Sequence, residues 1–277
     1  MKKEPGFVLI GTGFIMPRHV EAINAIGGKI KDVVNTAYGE YLFEDVIKHT
    51  SAENVVILAP NHFHRAMVRN ALYWGKSVLC EKPLGISTKE VEDIIELEKT
   101  SKGKVFTVLQ LRHHPLVKRL EREIDPEDDH EITIYINVFR DQKYYSGWKG
   151  DDRKSGGILF NLGSHYFDLL VHLFGVPEKI LAVEGTEKTM EGILEGKNFL
   201  CNWRISTDAT QKEQQRVFQI DGQNYNFSSK DNLSYESLHR SVYEDFIQGK
   251  GIAPSEVLPA TLLIENIYGI FKNGGAH

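Results

Sequence analysis

A lysine after a short apolar run is the first side chain whose type and position suit proton-transfer chemistry. Lys82 stands in the tripeptide Glu81-Lys82-Pro83, directly after the run Ser77 to Cys80. A lysine ammonium at the end of a strand can bind a substrate hydroxyl, stabilise an alkoxide as its proton leaves, or relay that proton. On these residues alone, a surface ion pair between Lys82 and Glu81 is an equal alternative.

A histidine in a glycine-preceded segment is the second candidate. Asn161 and His165 are four residues apart and Asp168 follows three residues later, after the pair Gly156-Gly157. This spacing predicts a helix with an amide, an imidazole and a carboxylate on one face. His165 can act as a general base because the ordinary pKa of histidine is close to neutral. A histidine satisfied within the core is the alternative.

A glycine turn near the start of the chain is typical of dinucleotide binding. Gly11-Thr-Gly13 follows the apolar run Phe7 to Ile10 and precedes helical spacing from Arg18 to Ile26. Gly11 permits a tight turn and Gly13 allows the backbone to approach a pyrophosphate, which the helix N-terminus would also attract. Met16 replaces the third small residue of the usual fingerprint. A simple tight turn is the alternative.

The residue that would bind the adenosine ribose is less clear from the sequence. Asn35 is our candidate, and Asp32 is a possible substitute, because both lie near the end of the second predicted strand, where an acidic residue is usual. An amide can bind a ribose hydroxyl but does not repel a 2′-phosphate as a carboxylate does. The sequence therefore favours NAD over NADP.

Further polar residues follow the remaining predicted strands at the carboxyl edge, where open α/β sheets bind ligands. His62 and His64 are two apart and could form a metal pair, as could His113 and His114, but no third ligand lies nearby in the sequence. We expect no metal. The predicted cofactor-binding residues are Gly11, Gly13, Phe14, Ile15, Asn35, Pro60, Asn61, His64, Glu81, Lys82 and Gln110.

The elements that position these residues change character near residue 120. Strands alternate with helices before that point, which predicts an α/β domain with a doubly wound parallel sheet over residues 1–120. The run Glu131 to Phe139 then alternates polar and apolar residues, which predicts a sheet with one solvated face. We expect a second, mixed α+β domain over residues 121–277.

Composition excludes several classes of protein. The formal net charge is −5 over 277 residues, with no block of five like charges, so we expect no nucleic-acid partner. Two cysteines are too few for a disulfide framework. No signal-peptide core and no apolar run of about 18 residues is found, so we expect no membrane association and a cytoplasmic location.

Taken together, four motifs resemble those of the Gfo/Idh/MocA oxidoreductases in order and spacing. They are Gly11 to Ile15, Pro60-Asn61, Glu81 to Pro83 and Gly156 to Asp168. The resemblance implies an N-terminal Rossmann domain and a C-terminal domain built on a largely antiparallel open sheet. It also implies a homodimer or homotetramer, and a catalytic pair formed by Lys82 and His165.

Within that family, three stretches are similar to UDP-N-acetyl-D-glucosaminuronic acid 3-dehydrogenases of bacterial surface-polysaccharide biosynthesis. The stretches are Phe14 to His19, Leu109 to Pro115 and Trp148 to Ser155, and Asn161 stands where many family members have aspartate. This resemblance implies oxidation of the sugar C3 hydroxyl with hydride transfer to NAD, Asn161 orienting the substrate or the imidazole. Some such enzymes reoxidise the cofactor with 2-oxoglutarate.

A uronate and a diphosphate would need cationic partners. Arg112, Lys149, Arg153 and Lys154 are the available cluster, although a solvated basic loop beside Asp151 is the alternative for each. The predicted substrate-binding residues are Lys82, Arg112, Lys149, Arg153, Lys154, Asn161 and His165.

Two other functions are compatible with the sequence. One is a dehydrogenase of a free sugar or cyclitol within the same family, which would not need those cations. The other is a non-catalytic regulator that binds a dinucleotide. The presence of both Lys82 and His165 argues against the regulator, because a sensor needs neither.

Overall fold

The computed structural model describes residues 4–36, 42–125, 127–227 and 235–274. The chain forms two compact units. The first contains the described residues up to His113 and those from residue 235 to Leu258, and the second contains the described residues from His114 to Phe227 and from Pro259 onward.

Eleven strands and ten α-helices lie in the described residues. The strands are β1 (Gly6–Ile10), β2 (Lys29–Val34), β3 (Asn54–Ile57), β4 (Ser77–Glu81), β5 (Val105–Val108), β6 (His130–Asn137), β7 (Lys179–Gly185), β8 (Thr189–Gly196), β9 (Phe199–Ser206), β10 (Gln215–Ile220) and β11 (Gln223–Tyr225). The helices are α1 (Met16–Ala25), α2 (Leu42–His49), α3 (His64–Tyr73), α4 (Thr88–Thr100), α5 (Pro115–Glu123), α6 (Gln142–Ser146), α7 (Asp152–Ser155), α8 (Ser164–Phe174), α9 (Tyr235–Ile247) and α10 (Pro254–Lys272). Among the described residues, no helix combines the length and the apolar character needed to cross a membrane.

The first unit is built on a parallel sheet of five strands in the order β2-β1-β3-β4-β5. Every residue of β1 is buried, as expected of a strand with helices on both faces. Phe7 and Leu9 belong to one hydrophobic cluster and Val8 and Ile10 to the other, because successive side chains of a strand point to opposite faces. The predicted Rossmann-type α/β fold is confirmed.

Helix α9 completes one face of this sheet, although in the chain it lies between the two segments of the second unit. Phe7 packs edge-on against Tyr243, with ring centroids 5.6 Å apart, and Phe246 contacts both Phe7 and Phe106. A single boundary at residue 120 is therefore wrong for the first unit. The apolar residues of α9 show in the sequence that the helix is amphipathic, but not which sheet it covers.

The second unit contains a six-stranded sheet in the order β11-β10-β6-β9-β8-β7. Neighbouring strands are antiparallel except for the parallel pair β6 and β9, so the largely antiparallel α+β fold is confirmed. Helix α8 packs on this sheet through Phe167, whose ring lies 5.4 Å from that of Trp203. Gly163, directly before α8, allows the helix to lie close to the sheet, because a Cβ there would lie 2.7 Å from the side chain of Ile205 in β9.

We expect Phe246→Ala to lower the free energy of unfolding by about 3 to 5 kcal/mol, because it empties a buried aromatic site. Hydrogen exchange should become faster in peptides of β1 and β5 and remain unchanged in β6 and β9. Ile247→Ala is the control, since Ile247 is 44% exposed on the same helix. Equal effects of both substitutions, or faster exchange in β6 and β9 with Phe246→Ala, would contradict the assignment of α9 to the first unit.

Candidate active site

The carboxyl ends of the five parallel strands bring the predicted cofactor residues to one edge of the first unit. Gly11 follows β1, Pro60 lies just beyond the end of β3, Glu81 ends β4, and Gln110 begins the 3-10 turn after β5. Gln110 is buried, and in the described part of the chain its Oε1 has no hydrogen-bond partner. This edge therefore offers an acceptor that a bound molecule can use.

The glycine turn after β1 fits the pyrophosphate of a dinucleotide. Gly11 has a φ of 112°, and a Cβ there would lie 2.6 Å from the backbone of Leu58, so only glycine is accommodated. At Gly13, a Cβ would meet no described atom within 4 Å. This open space lies beside the start of α1, which has no side-chain cap. A phosphate can therefore approach the backbone at Gly13 and the positive end of the helix.

The end of β2 distinguishes the two candidates for ribose binding. The Asp32 carboxylate accepts a hydrogen bond from the Thr50 hydroxyl and is therefore engaged inside the unit. Asn35 is half-buried directly after β2. This hydrogen bond argues against Asp32 as the residue that binds the ribose, and Asn35 stays the predicted one.

His64 joins two loops of this edge. The imidazole is fully buried, with Nδ1 2.7 Å from the carbonyl oxygen of Pro83 and Nε2 2.9 Å from that of Ala59. Burial lowers its pKa, so the ring is neutral at pH 7 and donates to one carbonyl at a time. The side chain therefore holds the loops after β3 and β4 together, and its contact with the cofactor stays a prediction.

The carboxylate of Glu81 points into the first unit, which disfavours the surface ion pair that the sequence allowed. Burial raises the pKa of this carboxyl, but a 3.0 Å hydrogen bond from His19 Nε2 and nearby positive charge outweigh it and lower the pKa to about 2. Its second oxygen accepts from the backbone N–H of Lys82 at 3.2 Å. Lys82 itself is half-buried at the carboxyl edge of the sheet, as predicted.

The predicted helical face of the second unit has a different backbone from the one expected. Asn161 lies in a π-helical turn, Leu159–Gly163, and His165 and Asp168 lie in α8. Gly157 has a φ of 83° and no room for a Cβ beside the Tyr268 hydroxyl, which accepts from the backbone of Leu159 at 3.0 Å. The wider turn changes the direction in which Asn161 projects relative to a regular α-helix.

The four predicted substrate cations are distributed over both units. Arg112, in the first unit, is buried and donates to a Glu256 side-chain oxygen at 3.1 Å. In the second unit, Arg153 and Lys154 lie by the Asp151 carboxylate, and the Lys149 ammonium is 5.5 Å from the ring centre of Trp148. Each of the four cations therefore has an interaction partner within its own unit.

Sequence reasoning missed two buried residues next to the lysine motif, His19 and Tyr243. His19 is on the apolar face of α1, together with Ala22 and Ile23, and all three are buried. A histidine at this position of an apolar stripe indicates a buried polar contact. That signal was available in the sequence, but its partner in α9 was not.

Two family models match the chain. The "Oxidoreductase family, NAD-binding Rossmann fold" model matches residues 29–109, and the "Oxidoreductase family, C-terminal alpha/beta domain" model matches residues 130–195. Together they cover more than half of the chain. The matched residues begin after the glycine turn, so the turn adds an independent observation.

Solved structures match over nearly the whole chain. The WlbA (WbpB) dehydrogenase from Thermus thermophilus in complex with NAD and alpha-ketoglutarate is 28% identical, with a TM-score of 0.82 and coverage of 95% of this chain and 94% of that one. Its complex with NAD and UDP-GlcNAcA is 29% identical, with a TM-score of 0.81 and coverage of 94% of each chain. The WlbA dehydrogenase from Bordetella pertussis, at 19% identity and a TM-score of 0.84, covers 100% of this chain and 98% of that one and shows the shared fold.

The curated relatives match a smaller share of this chain than those structures do. The chain spans less than half the length of several of them, such as 35% of the Bacillus subtilis oxidoreductase YteT, to which 52% of this chain aligns at 24% identity. The D-xylose 1-dehydrogenase (NADP(+)) 2 of Haloferax volcanii is 26% identical over 77% of this chain and 70% of its own. The family models, the two sheets and the glycine turn all agree: this chain belongs to the Gfo/Idh/MocA oxidoreductase family, and its first unit is the NAD-binding Rossmann domain of that family.

Proposed function

We propose that this protein is an NAD-dependent dehydrogenase that oxidises the C3 hydroxyl of a UDP-N-acetyl-glucosaminuronic acid-like nucleotide sugar. The observation that carries the proposal is the match, over 94% of both chains at 29% identity, to the Thermus enzyme in complex with NAD and UDP-GlcNAcA. The 3-keto product fits a role in surface-polysaccharide biosynthesis. Fold alone does not determine substrate, so residues must support the assignment.

The cofactor site is proposed to use the glycine turn and the residues at the carboxyl edge. Gly11, Gly13, Phe14 and Ile15 would contact the pyrophosphate, and Asn35 the ribose. Pro60, Asn61, Glu81, Lys82 and Gln110 would line the remaining site. Since Asn35 would not repel a 2′-phosphate, NADP has to be compared directly with NAD, and the Haloferax relative named above is an NADP(+) enzyme.

NAD, when bound, supplies the acceptor for the hydride that leaves C3. The chain must then remove the hydroxyl proton and stabilise the charge that develops on oxygen. We assign the proton to His165 and the hydrogen bond to the same oxygen to Lys82, with Asn161 orienting the substrate or the imidazole. Lys82 is suited to this role because its backbone is held by Glu81 at the end of a buried strand.

The nucleotide and the uronate would be bound by cations. Lys149, Arg153 and Lys154 lie on one short segment of the second unit, and Arg112, in the first unit, is the fourth cation proposed to bind the substrate. The Thermus structure with alpha-ketoglutarate supports 2-oxoglutarate as a second substrate that reoxidises the cofactor. A homodimer or homotetramer remains a prediction.

A dehydrogenase of free sugars or cyclitols is the second candidate. It is favoured by relatives such as the scyllo-inositol 2-dehydrogenase (NADP(+)) IolW of Bacillus subtilis, 27% identical over 50% of this chain and 39% of its own. Neutralising Lys149 and Arg153 should weaken the binding of a UDP-uronate and leave the binding of a free polyol unchanged. The two functions differ in this dependence on charge.

Gly13→Val is expected to weaken NAD binding by about 100-fold or more, because the new side chain occupies the space proposed for the pyrophosphate. Its folding should be unaffected, since a Cβ at this position meets no described atom within 4 Å. Calorimetric titration with NAD and thermal unfolding measure the two effects. Gly269→Ala, at another glycine with open space, is the control. Normal NAD affinity of Gly13→Val would contradict the cofactor site.

Lys82→Ala and His165→Ala should each slow hydride transfer by about 100-fold or more, since each loses a group that acts on the reacting hydroxyl. The near-ultraviolet absorbance of reduced nicotinamide is followed after mixing protein and NAD with UDP-N-acetylglucosaminuronic acid. NAD affinity should change little, and Lys102→Ala, at an exposed lysine, should behave as the wild type.

Addition of 2-oxoglutarate to the reduced enzyme should remove the absorbance again. If myo-inositol reduces the bound NAD and the nucleotide sugar does not, the second candidate function replaces the proposed one. Normal turnover of either variant would exclude that residue from catalysis.

A further inference from the structure

Four polar side chains form a cluster inside the first unit, behind the lysine motif. They are His19 of α1, Glu81 at the end of β4, and His239 and Tyr243 of α9. The side chains of His19 and His239 are 0% and 2% exposed, that of Glu81 is 15% exposed, and Tyr243 is fully buried. Such a cluster is costly to bury unless its hydrogen bonds are satisfied.

The imidazole of His19 contacts two other polar groups of this cluster, one at each ring nitrogen. The low pKa of Glu81 makes it an ionised acceptor at neutral pH, so His19 Nε2 donates to its Oε1 at 3.0 Å. Burial raises the pKa of Tyr243, so its hydroxyl stays protonated. The hydroxyl lies 2.9 Å from Nδ1 of His19, so the two contacts hold the imidazole between Tyr243 and Glu81.

The opposite oxygen of Glu81 is the one that reaches the lysine. Oε2 accepts from the backbone N–H of Lys82 at 3.2 Å, while Oε1 is held by His19. His239 adds a second imidazole, with Nε2 4.0 Å from Oε1 and its ring edge-on to that of His19 at 5.1 Å. The carboxylate is therefore held from inside and holds the lysine backbone on its outer side.

We propose that His19 is a positioning residue for Lys82, acting through the Glu81 carboxylate. This inference rests on the proposed function, in which Lys82 binds the reacting hydroxyl. Without the donor at Nε2, the carboxylate would leave its buried position and release the lysine backbone. A displacement of about 1 Å at a reacting group can slow a reaction about 100-fold.

A bound metal is the competing explanation for the same side chains. The ligand atoms of His19, Glu81 and His239 lie within 4.8 Å of one another. The direct hydrogen bond between His19 and Glu81, however, already uses one atom of each. Metal content of the purified protein separates the two explanations.

Two substitutions of His19 distinguish the roles of its two ring nitrogens. The amide of glutamine reaches the position of Nε2 and can still donate to Glu81, whereas that of asparagine reaches only the position of Nδ1 beside Tyr243. We expect His19→Asn to slow single-turnover hydride transfer by roughly 10- to 100-fold, and His19→Gln by less than about fivefold. NAD affinity should stay within about threefold for both variants.

A surface pair provides the matched control. His130 of β6 lies 2.8 Å from Asp221 in the second unit, also as a histidine–carboxylate contact. His130→Gln and His130→Asn should change the rate of single-turnover hydride transfer equally and only slightly. Glu81→Asp keeps the charge but shortens the side chain, so it should resemble His19→Asn and serves as the second variant if His19→Asn does not fold.

Hydrogen exchange supplies a readout that needs no substrate. The backbone N–H of Lys82 should exchange faster in His19→Asn than in His19→Gln, and the latter should resemble the wild type. Equal rates of exchange and of hydride transfer for the two variants, with Lys82→Ala inactive, would overturn this inference and leave the proposed function standing. An active Lys82→Ala would overturn both. One equivalent of zinc that is lost in His19→Asn would replace the positioning role by a metal site.

Discussion

The buried negative charge of Glu81 is the constraint on which the rest of the first unit depends. An ionised carboxylate with 15% of its side chain exposed is stable only if donors surround it. His19 and the Lys82 backbone supply two of them, and Tyr243 orients the first. Because His19 and Tyr243 are 224 residues apart, the group beside the proposed catalytic lysine is completed only when α9 has packed on the first sheet.

The same charge makes the stability of the folded protein depend on pH. Because the pKa of Glu81 is lower in the folded protein than its ordinary value near 4.5, its contribution to stability is present above that value. It is lost as the pH falls towards about 2. Within this window the carboxylate becomes protonated and its hydrogen bond from His19 weakens. Acid should therefore affect the lysine segment as well as the stability of the first unit.

Local patterns predicted much of the fold and part of the site. The order of strands and helices in the first unit, the turn at Gly11 and the place of Lys82 after β4 all follow from short runs of sequence. They are predictable because strand periodicity and glycine turns are set by neighbouring residues. The alternating polar and apolar residues also predicted a second sheet with one solvated face, and the family resemblance implied that this sheet is largely antiparallel.

Tertiary contacts account for what the sequence did not predict. The roles of His64, which bonds two backbone carbonyls, and of Arg112, which bonds Glu256, depend on segments distant in the chain. The return of α9 to the first unit is of the same kind, since an apolar helix face fits many partners. The π-helical turn at Asn161 arises where Gly157 lies against Tyr268, which no local periodicity indicates.

The ionisation of Glu81 tests the account most directly. Carbon-13 NMR of protein labelled at the glutamate carboxyl carbon, with the Glu81 resonance assigned from its loss in Glu81→Gln, follows this group through an acid titration. We expect the Glu81 signal to remain that of a carboxylate at pH 4, where exposed glutamates are already titrating, and to change only on approach to about 2 or to acid unfolding. A midpoint at or above 4.5 would show that the carboxyl is not held as a buried anion, and would contradict the role given to His19 and to the lysine segment.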